Sequence, residues 1–78
     1  MWWFLVKQAE SEDEIIYTYG AETKEQSGKI SFNKHSEEFT IEKLADGDTE
    51  KGAEKLFPHL WRMIFKENCP DERQIAIG

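Results

Sequence analysis

The residues best suited to chemistry in this chain are five bases spaced along one predicted helix, 49–68. At about 100° per residue they fall within an arc of roughly 80°, almost opposite an apolar stripe on the same helix. Such a face suits an anionic partner, either an acidic protein or a nucleic acid. The five bases are Lys51, Lys55, His59, Arg62 and Lys66.

The same bases also fit an ordinary solvated helix surface. Glu50 and Glu54 lie one to four positions from Lys51 and Lys55, where opposite charges on a helix attract each other weakly. The chain carries a formal charge of −6, which repels polyanions and argues against nonspecific binding to nucleic acid or anionic lipid. The pattern leaves a solvated surface and a binding surface both open.

A motif at the start of this helix resembles a calcium-binding loop but lacks two essential residues. Asp46, Asp48 and Glu50 supply oxygen ligands at alternate positions. Lys51 stands where the loop needs glycine, and Phe57 stands where it needs a bidentate glutamate. We interpret the segment as a turn in which Asp48 caps the helix.

Groups suited to catalysis or metal binding lack partners in the sequence. His35 and His59 have no histidine or cysteine at ligand spacing, and Cys69 has no histidine nearby. Gly28-Lys29 resembles the end of a phosphate-binding loop, but a predicted strand follows where that loop needs a helix. The sequence therefore predicts a non-enzymatic protein with no catalytic residue, no metal and no cofactor.

Length and composition indicate one small domain, 1–78, with an aromatic core. Three Trp, five Phe and two Tyr supply a large buried area to a chain of 78 residues. The single cysteine excludes a disulfide or a cysteine-based zinc site within one chain, which favours a reducing cytoplasm. The apolar start, 1–6, lacks a basic leader and is too short to span a membrane, so we expect a strand there and no membrane contact.

Alternation of apolar and polar residues predicts an α+β fold with the element order β-β-β-β-α-β. Four strands form an antiparallel meander, and a short fifth strand follows the helix. Pairing the fifth strand with the first gives the sheet order 5-1-2-3-4. The long helix then packs on one face of this sheet. The predicted strands are 2–7, 15–20, 29–33, 38–44 and 73–78.

Pro58 interrupts the helical pattern and allows two interpretations, one kinked helix or two helices. The apolar stripe keeps its phase across the proline, which a loop would not preserve, so we favour a single helix bent at 56–58. We expect Leu60 and Ile64, at the centre of the stripe, to belong to the core. The stripe consists of Ala53, Leu56, Phe57, Leu60, Trp61, Ile64 and Phe65.

The first strand is apolar on both faces, although one helix can cover only one of them. If Trp2, Phe4 and Val6 pack under the helix, an apolar patch remains on the other side of the sheet. We expect this patch to form a homodimer interface, unless the N-terminal strand or a loop folds over it. The predicted interface residues are Trp3, Leu5, Ile16 and Ala76.

The function predicted from these patterns is that of a small acidic interaction protein of the cytoplasm that acts as a homodimer. The alternative is an adaptor that binds an acidic partner or a nucleic acid through the basic face of the helix. An enzyme would need a pocket in which His59 or Tyr17 meets a polar partner.

Overall fold

The computed structural model describes residues 1–77 and contains a five-stranded antiparallel sheet with one bent helix. The strands lie in the order β4-β3-β2-β1-β5, and every neighbouring pair is antiparallel. The predicted α+β fold and strand order are confirmed. Gly78, the last residue of the predicted fifth strand, lies outside the described residues. The elements are β1 (Trp2–Glu10), β2 (Glu14–Ala21), β3 (Gly28–Asn33), β4 (Glu38–Lys43), α1 (Glu50–Glu54), α2 (Phe57–Lys66) and β5 (Glu72–Ala76).

The segments α1 and α2 form a single bent helix. Lys55 and Leu56 between them keep right-handed helical φ and ψ angles. Their amide nitrogens donate to carbonyl oxygens only three residues back, those of Gly52 at 3.2 Å and Ala53 at 3.0 Å, which tightens the turn. Pro58 lies in the first turn of α2, where a missing N–H leaves no helical hydrogen bond unmade. The prediction of one helix bent near the proline is therefore confirmed.

The N-terminus of the helix is capped by Thr49, one residue later than predicted. The Thr49 hydroxyl accepts a hydrogen bond from the amide of Gly52 at 3.1 Å. The Asp48 carboxylate instead accepts the amide N–H of Thr49 at 2.8 Å and the indole Nε1–H of Trp3 at 2.9 Å. The cap prediction was wrong by one position because this carboxylate links the start of the helix to β1.

Two buried tyrosines of β2 hold the segments that flank the helix. The Tyr19 hydroxyl accepts a hydrogen bond from the amide of Ala45 at 3.1 Å, before the helix. The Tyr17 hydroxyl donates to the carbonyl oxygen of Pro70 at 2.6 Å, after the helix. Burial raises the pKa of both tyrosines, so both hydroxyls stay protonated at neutral pH. These contacts fix where the helix begins and ends relative to the sheet.

The helix covers the sheet face that carries Trp3 and Leu5, whose side chains are 1 % and 0 % exposed. Trp2, Phe4 and Val6 lie on the opposite face and are half-buried. The prediction had these two faces of β1 the wrong way round. Its assignment of Trp3 and Leu5 to an open interface is therefore wrong.

The register of β1 with its neighbours explains this outcome. Leu5 lies opposite Tyr19 of β2, and Trp3 lies opposite Ile75 of β5. Side chains directly opposite each other in an antiparallel pair share a face, and both of these partners are buried. The buried core consists of Trp3, Leu5, Ile15, Tyr17, Tyr19, Ile30, Phe32, Ala45, Ala53, Leu56, Leu60, Met63 and Ile75.

Candidate functional site

The open face of the sheet, opposite the helix, is the first candidate binding surface. Ala76 is exposed on it and pairs with Trp2 across the β1–β5 ladder. Of the predicted interface residues, Ile16 and Ala76 lie on this face, whereas Trp3 and Leu5 are in the core. Four half-buried side chains form what we call the apolar strip: Trp2, Phe4, Val6 and Ile16.

The loop 22–27 between β2 and β3 folds over part of the open face. A Cβ atom at Gly20 would lie 2.0 Å from the carbonyl oxygen of Glu25, so only glycine lets the loop approach β2 this closely. The ammonium group of Lys24 lies 5.4 Å from the ring centre of Phe4, a cation–π distance. The predicted alternative of a covering loop therefore applies to the area around Gly20 and Phe4.

The five bases of the helix form the second candidate surface. They differ in their exposure to solvent. Lys51, Lys55, Arg62 and Lys66 are exposed, and none of them forms an ion pair within residues 1–77. His59 is half-buried and lines a pocket of about 210 Å³ between α2 and β5. The four exposed bases therefore remain open to an anionic partner, while His59 contributes less surface.

Tyr17 and two polar residues beside His59 are engaged in structural contacts. Glu67 and Arg73, which line the pocket beside His59, form an ion pair with each other. The Tyr17 hydroxyl donates to a backbone carbonyl inside the protein, and its raised pKa makes it a poor acid. Within residues 1–77, no three histidine, cysteine, aspartate or glutamate side chains are grouped so that they could hold a metal ion.

Trp61 and Phe65 form an exposed aromatic surface that the sequence pattern assigned to the core. They are 46 % and 43 % exposed, and their ring centres lie 4.6 Å apart. Leu60 is buried as predicted, but Ile64 is only half-buried, and Met63 is buried although it was not in the predicted stripe. That stripe spans about half of the helix circumference, which is wider than the face a helix buries. The position of Trp61 and Phe65 at its edge was the available signal.

A continuous chain of aromatic contacts joins this pair to the sheet. The ring of Phe65 meets that of Phe32 in β3 edge-on at 5.8 Å. Phe32 contacts Phe39 of β4 at 4.8 Å, and Phe39 stacks on Phe57 of α2 at 5.1 Å. We call Phe57, Trp61 and Phe65, spaced four residues apart on α2, the aromatic row. Phe57 and Phe65, the two ends of this row, therefore contact rings of the sheet, and Trp61 contacts Phe65.

Cys69 lies just after α2 and is half-buried, with its Sγ 3.8 Å from the carbonyl oxygen of Ile64. Burial raises the pKa of the thiol, and the carboxylate of Glu10 adds to this effect. Because the thiolate is the reactive form, we expect iodoacetamide to alkylate Cys69 several times more slowly at neutral pH in the folded protein than in the same protein in urea. Mass spectrometry measures both rates, and equal rates would contradict the buried placement.

The open face, the exposed bases and the aromatic row are the surfaces from which a function can be inferred. Among residues 1–77, no helical segment combines the length and the apolar content needed to span a membrane. Comparison with protein-family models, with curated proteins and with solved structures finds no match to this chain.

Proposed function

We propose that this chain is a small, non-catalytic binding protein that acts as a homodimer through the open face of its sheet. The observation that carries the proposal is the apolar strip, four half-buried side chains over which neither helical segment of residues 1–77 packs. Apolar patches of this kind on small proteins commonly mark association surfaces. A second copy is the simplest occupant, because a symmetric contact buries the strips of both chains at once.

The overall size of the protein is compatible with a dimer interface of standard area. The protein has 4862 Å² of accessible surface, and its two longest dimensions are 31 and 22 Å. A standard interface takes about 800 Å² from each partner, which is roughly a sixth of that surface. The loop 22–27 covers one part of the open face, and the partly exposed strip leaves the rest available for contact.

Charges on the open face also favour a second copy of the same chain. The strand register places Lys29 and Glu72 beside the apolar strip, and Lys24, Glu42 and Lys43 lie near its border. This face therefore carries both bases and acids, although the whole chain has a charge of −6. In a symmetric contact the bases of one copy can face acids of the other, which reduces the repulsion between two acidic chains.

The proposed setting of the dimer is the cytoplasm. Cys69 is the single cysteine of the chain and is free. Small proteins of oxidising compartments commonly rely on disulfides, whereas this chain builds its core from large apolar side chains. That composition suits a reducing compartment.

Replacing Trp2 by glutamate is expected to convert the dimer into a folded monomer. Trp2 lies on the apolar strip and outside the core, so water can solvate a carboxylate there in the monomer, whereas a second copy would bury it. Sedimentation equilibrium reports the mass, and circular dichroism reports the fold. Trp61→Glu, which introduces the same charge on the helix side, is the matched control and should leave the dimer intact.

The mass of the unmodified protein in solution is the first test of the homodimer. Sedimentation as a 9.2 kDa monomer at high micromolar concentration would exclude the homodimer. A dimer that persists in Trp2→Glu and dissociates in Trp61→Glu would place the interface on the helix side and would contradict the proposal.

A further inference from the structure

The aromatic row and the bases beside it form a second surface, on the side of the sheet away from the open face. We propose that this surface binds an acidic segment of a partner protein that carries one large aliphatic or aromatic anchor side chain. The inference does not depend on the homodimer, because the helix and the apolar strip lie on opposite faces of the sheet.

Exposed rings that contact each other and the core are the first observation. Trp61 and Phe65 remain 46 % and 43 % exposed, although both are large apolar side chains. Their contact with each other and the edge-on contact of Phe65 with the buried ring of Phe32 limit their motion. Aromatic side chains that are already ordered lose little entropy on binding, and tryptophan is frequent among the residues that dominate interface affinity. The aromatic row therefore has the properties of a protein-binding surface.

A pocket beside Phe65 provides a place for the anchor side chain. It has a volume of about 330 Å³ and lies between the end of α2, the β1–β2 hairpin and the turn after β3. Its apolar lining comes from Ile15, Phe32, Ile64 and Phe65. Small-molecule pockets measure about 300–1,000 Å³, so this one is at the lower limit and suits one large side chain better than a cofactor.

The bases provide the complementary charge. Arg62 and Lys66 each follow a ring of the aromatic row by one residue, so helix geometry sets two bases parallel to Trp61 and Phe65. Neither base forms an ion pair within the described part of the chain. Unpaired bases beside exposed rings match a partner that presents carboxylates next to an apolar side chain.

Acidic side chains at the pocket favour a peptide over a nucleic acid. Glu10 and Glu37 both line the pocket. Glu10 is paired with Lys34 at 3.3 Å, whereas Glu37 forms no ion pair within residues 1–77. A nucleic acid would bring phosphates close to the unpaired carboxylate of Glu37. A peptide can place an apolar side chain in the pocket and its carboxylates only at Arg62 and Lys66.

Selection from a random peptide library displayed on phage tests this inference with the unmodified protein as bait. A parallel selection on the Trp61→Ala/Phe65→Ala double variant identifies peptides that bind elsewhere, and circular dichroism verifies that this variant is folded. We expect the peptides enriched only by the unmodified protein to carry more acidic than basic residues and one large apolar residue. Enrichment of basic or uncharged peptides, or enrichment of none, would overturn the proposal.

Titration calorimetry with a synthetic copy of the most enriched peptide then assigns the residues. Trp61→Ala should weaken binding at least about tenfold, and the pair Arg62→Glu and Lys66→Glu should cause a similar loss. Lys43→Glu makes the same kind of charge change at an exposed base of β4 and should bind like the unmodified protein. An unchanged affinity in Trp61→Ala, or an equal loss in Lys43→Glu, would contradict the assignment.

Two further measurements test whether a nucleic acid or a second copy of this chain binds the aromatic row instead of a peptide. In a mobility-shift titration at low salt, single-stranded and duplex oligonucleotides should not be shifted by the protein. A shift that Arg62→Glu and Lys66→Glu abolish would assign the surface to nucleic acid and overturn the proposal. Sedimentation of Trp61→Ala should match that of the unmodified protein, and a change in mass would assign the surface to a second copy instead.

Discussion

Replacing Trp3 by glutamate is expected to leave the chain unfolded at room temperature. Trp3 is 1 % exposed, and its indole Nε1–H donates to the carboxylate of Asp48 at the start of the helix. Truncation of a buried tryptophan costs about 3–5 kcal/mol, and a carboxylate in its place also loses its hydration. Globular proteins have stabilities of about 5–15 kcal/mol, and short chains lie toward the lower end. Circular dichroism and the dispersion of NMR resonances would detect the loss of the fold.

Trp2→Glu is the matched control, because it places the same charge one residue away on the other face of β1. We expect this variant to stay folded, since Trp2 is half-buried on the open face. A prediction that placed Trp3 on the open face would expect the reverse. A folded Trp3→Glu protein together with an unfolded Trp2→Glu protein would therefore mean that the two faces of β1 are exchanged.

The strand order could be predicted from the sequence, whereas the orientation of β1 could not. Alternation assigns a buried face to a strand only when the other face is polar. β1 carries Trp2 and Phe4 on one face and Trp3 and Leu5 on the other. Because both faces are apolar, the alternation does not indicate which face of β1 is buried. The choice depends on distant contacts such as that of Trp3 with Asp48, 45 residues away along the chain. The local sequence pattern cannot predict a contact between residues so far apart.

The candidate surface on α2 could be predicted only in part. The spacing of the bases was visible in the sequence, and four of the five predicted bases are exposed. The exposure of the two rings could not be predicted, because helical periodicity does not show which apolar residues of a wide stripe are buried. Which part of the stripe is buried depends on the rotation of the helix about its axis. The hydrogen bond that Tyr17 donates to Pro70 and the one that Tyr19 accepts from Ala45 restrict that rotation, and both join residues far apart in the sequence.

The two proposed surfaces are compatible in one assembly. A homodimer formed through the open faces of two sheets would place both helices on its outer sides. Each helix would present its own aromatic row and its own exposed bases. A partner with two acidic segments, joined by a linker of sufficient length, could then bind both rows and gain affinity through the high effective concentration of the second site.

Leu60→Ala is the second substitution with a large expected effect, a loss of about 2–5 kcal/mol in the free energy of unfolding. Leu60 is 1 % exposed and belongs to the buried core that joins α2 to the sheet. Removing its branched end leaves a cavity, and the cost is greater when the surroundings cannot close it. Tyr17 and Tyr19 in the same core are held by hydrogen bonds to the segments around the helix, which restricts their movement. We therefore expect a loss in the upper half of that range.

Leu44→Ala removes the same atoms from a side chain that is 38 % exposed, and it should cost less than about 1 kcal/mol. Urea unfolding measures both variants, and equal dependence of the free energy on urea would show that the two losses are comparable. A loss below about 1 kcal/mol for Leu60→Ala would mean that α2 packs on the sheet through other residues. A rotation of the helix that exposes Leu60 would bury Trp61 and Phe65, because rotation in the opposite sense would bury bases such as Lys66 at a high cost. The same measurement therefore tests whether the aromatic row is exposed.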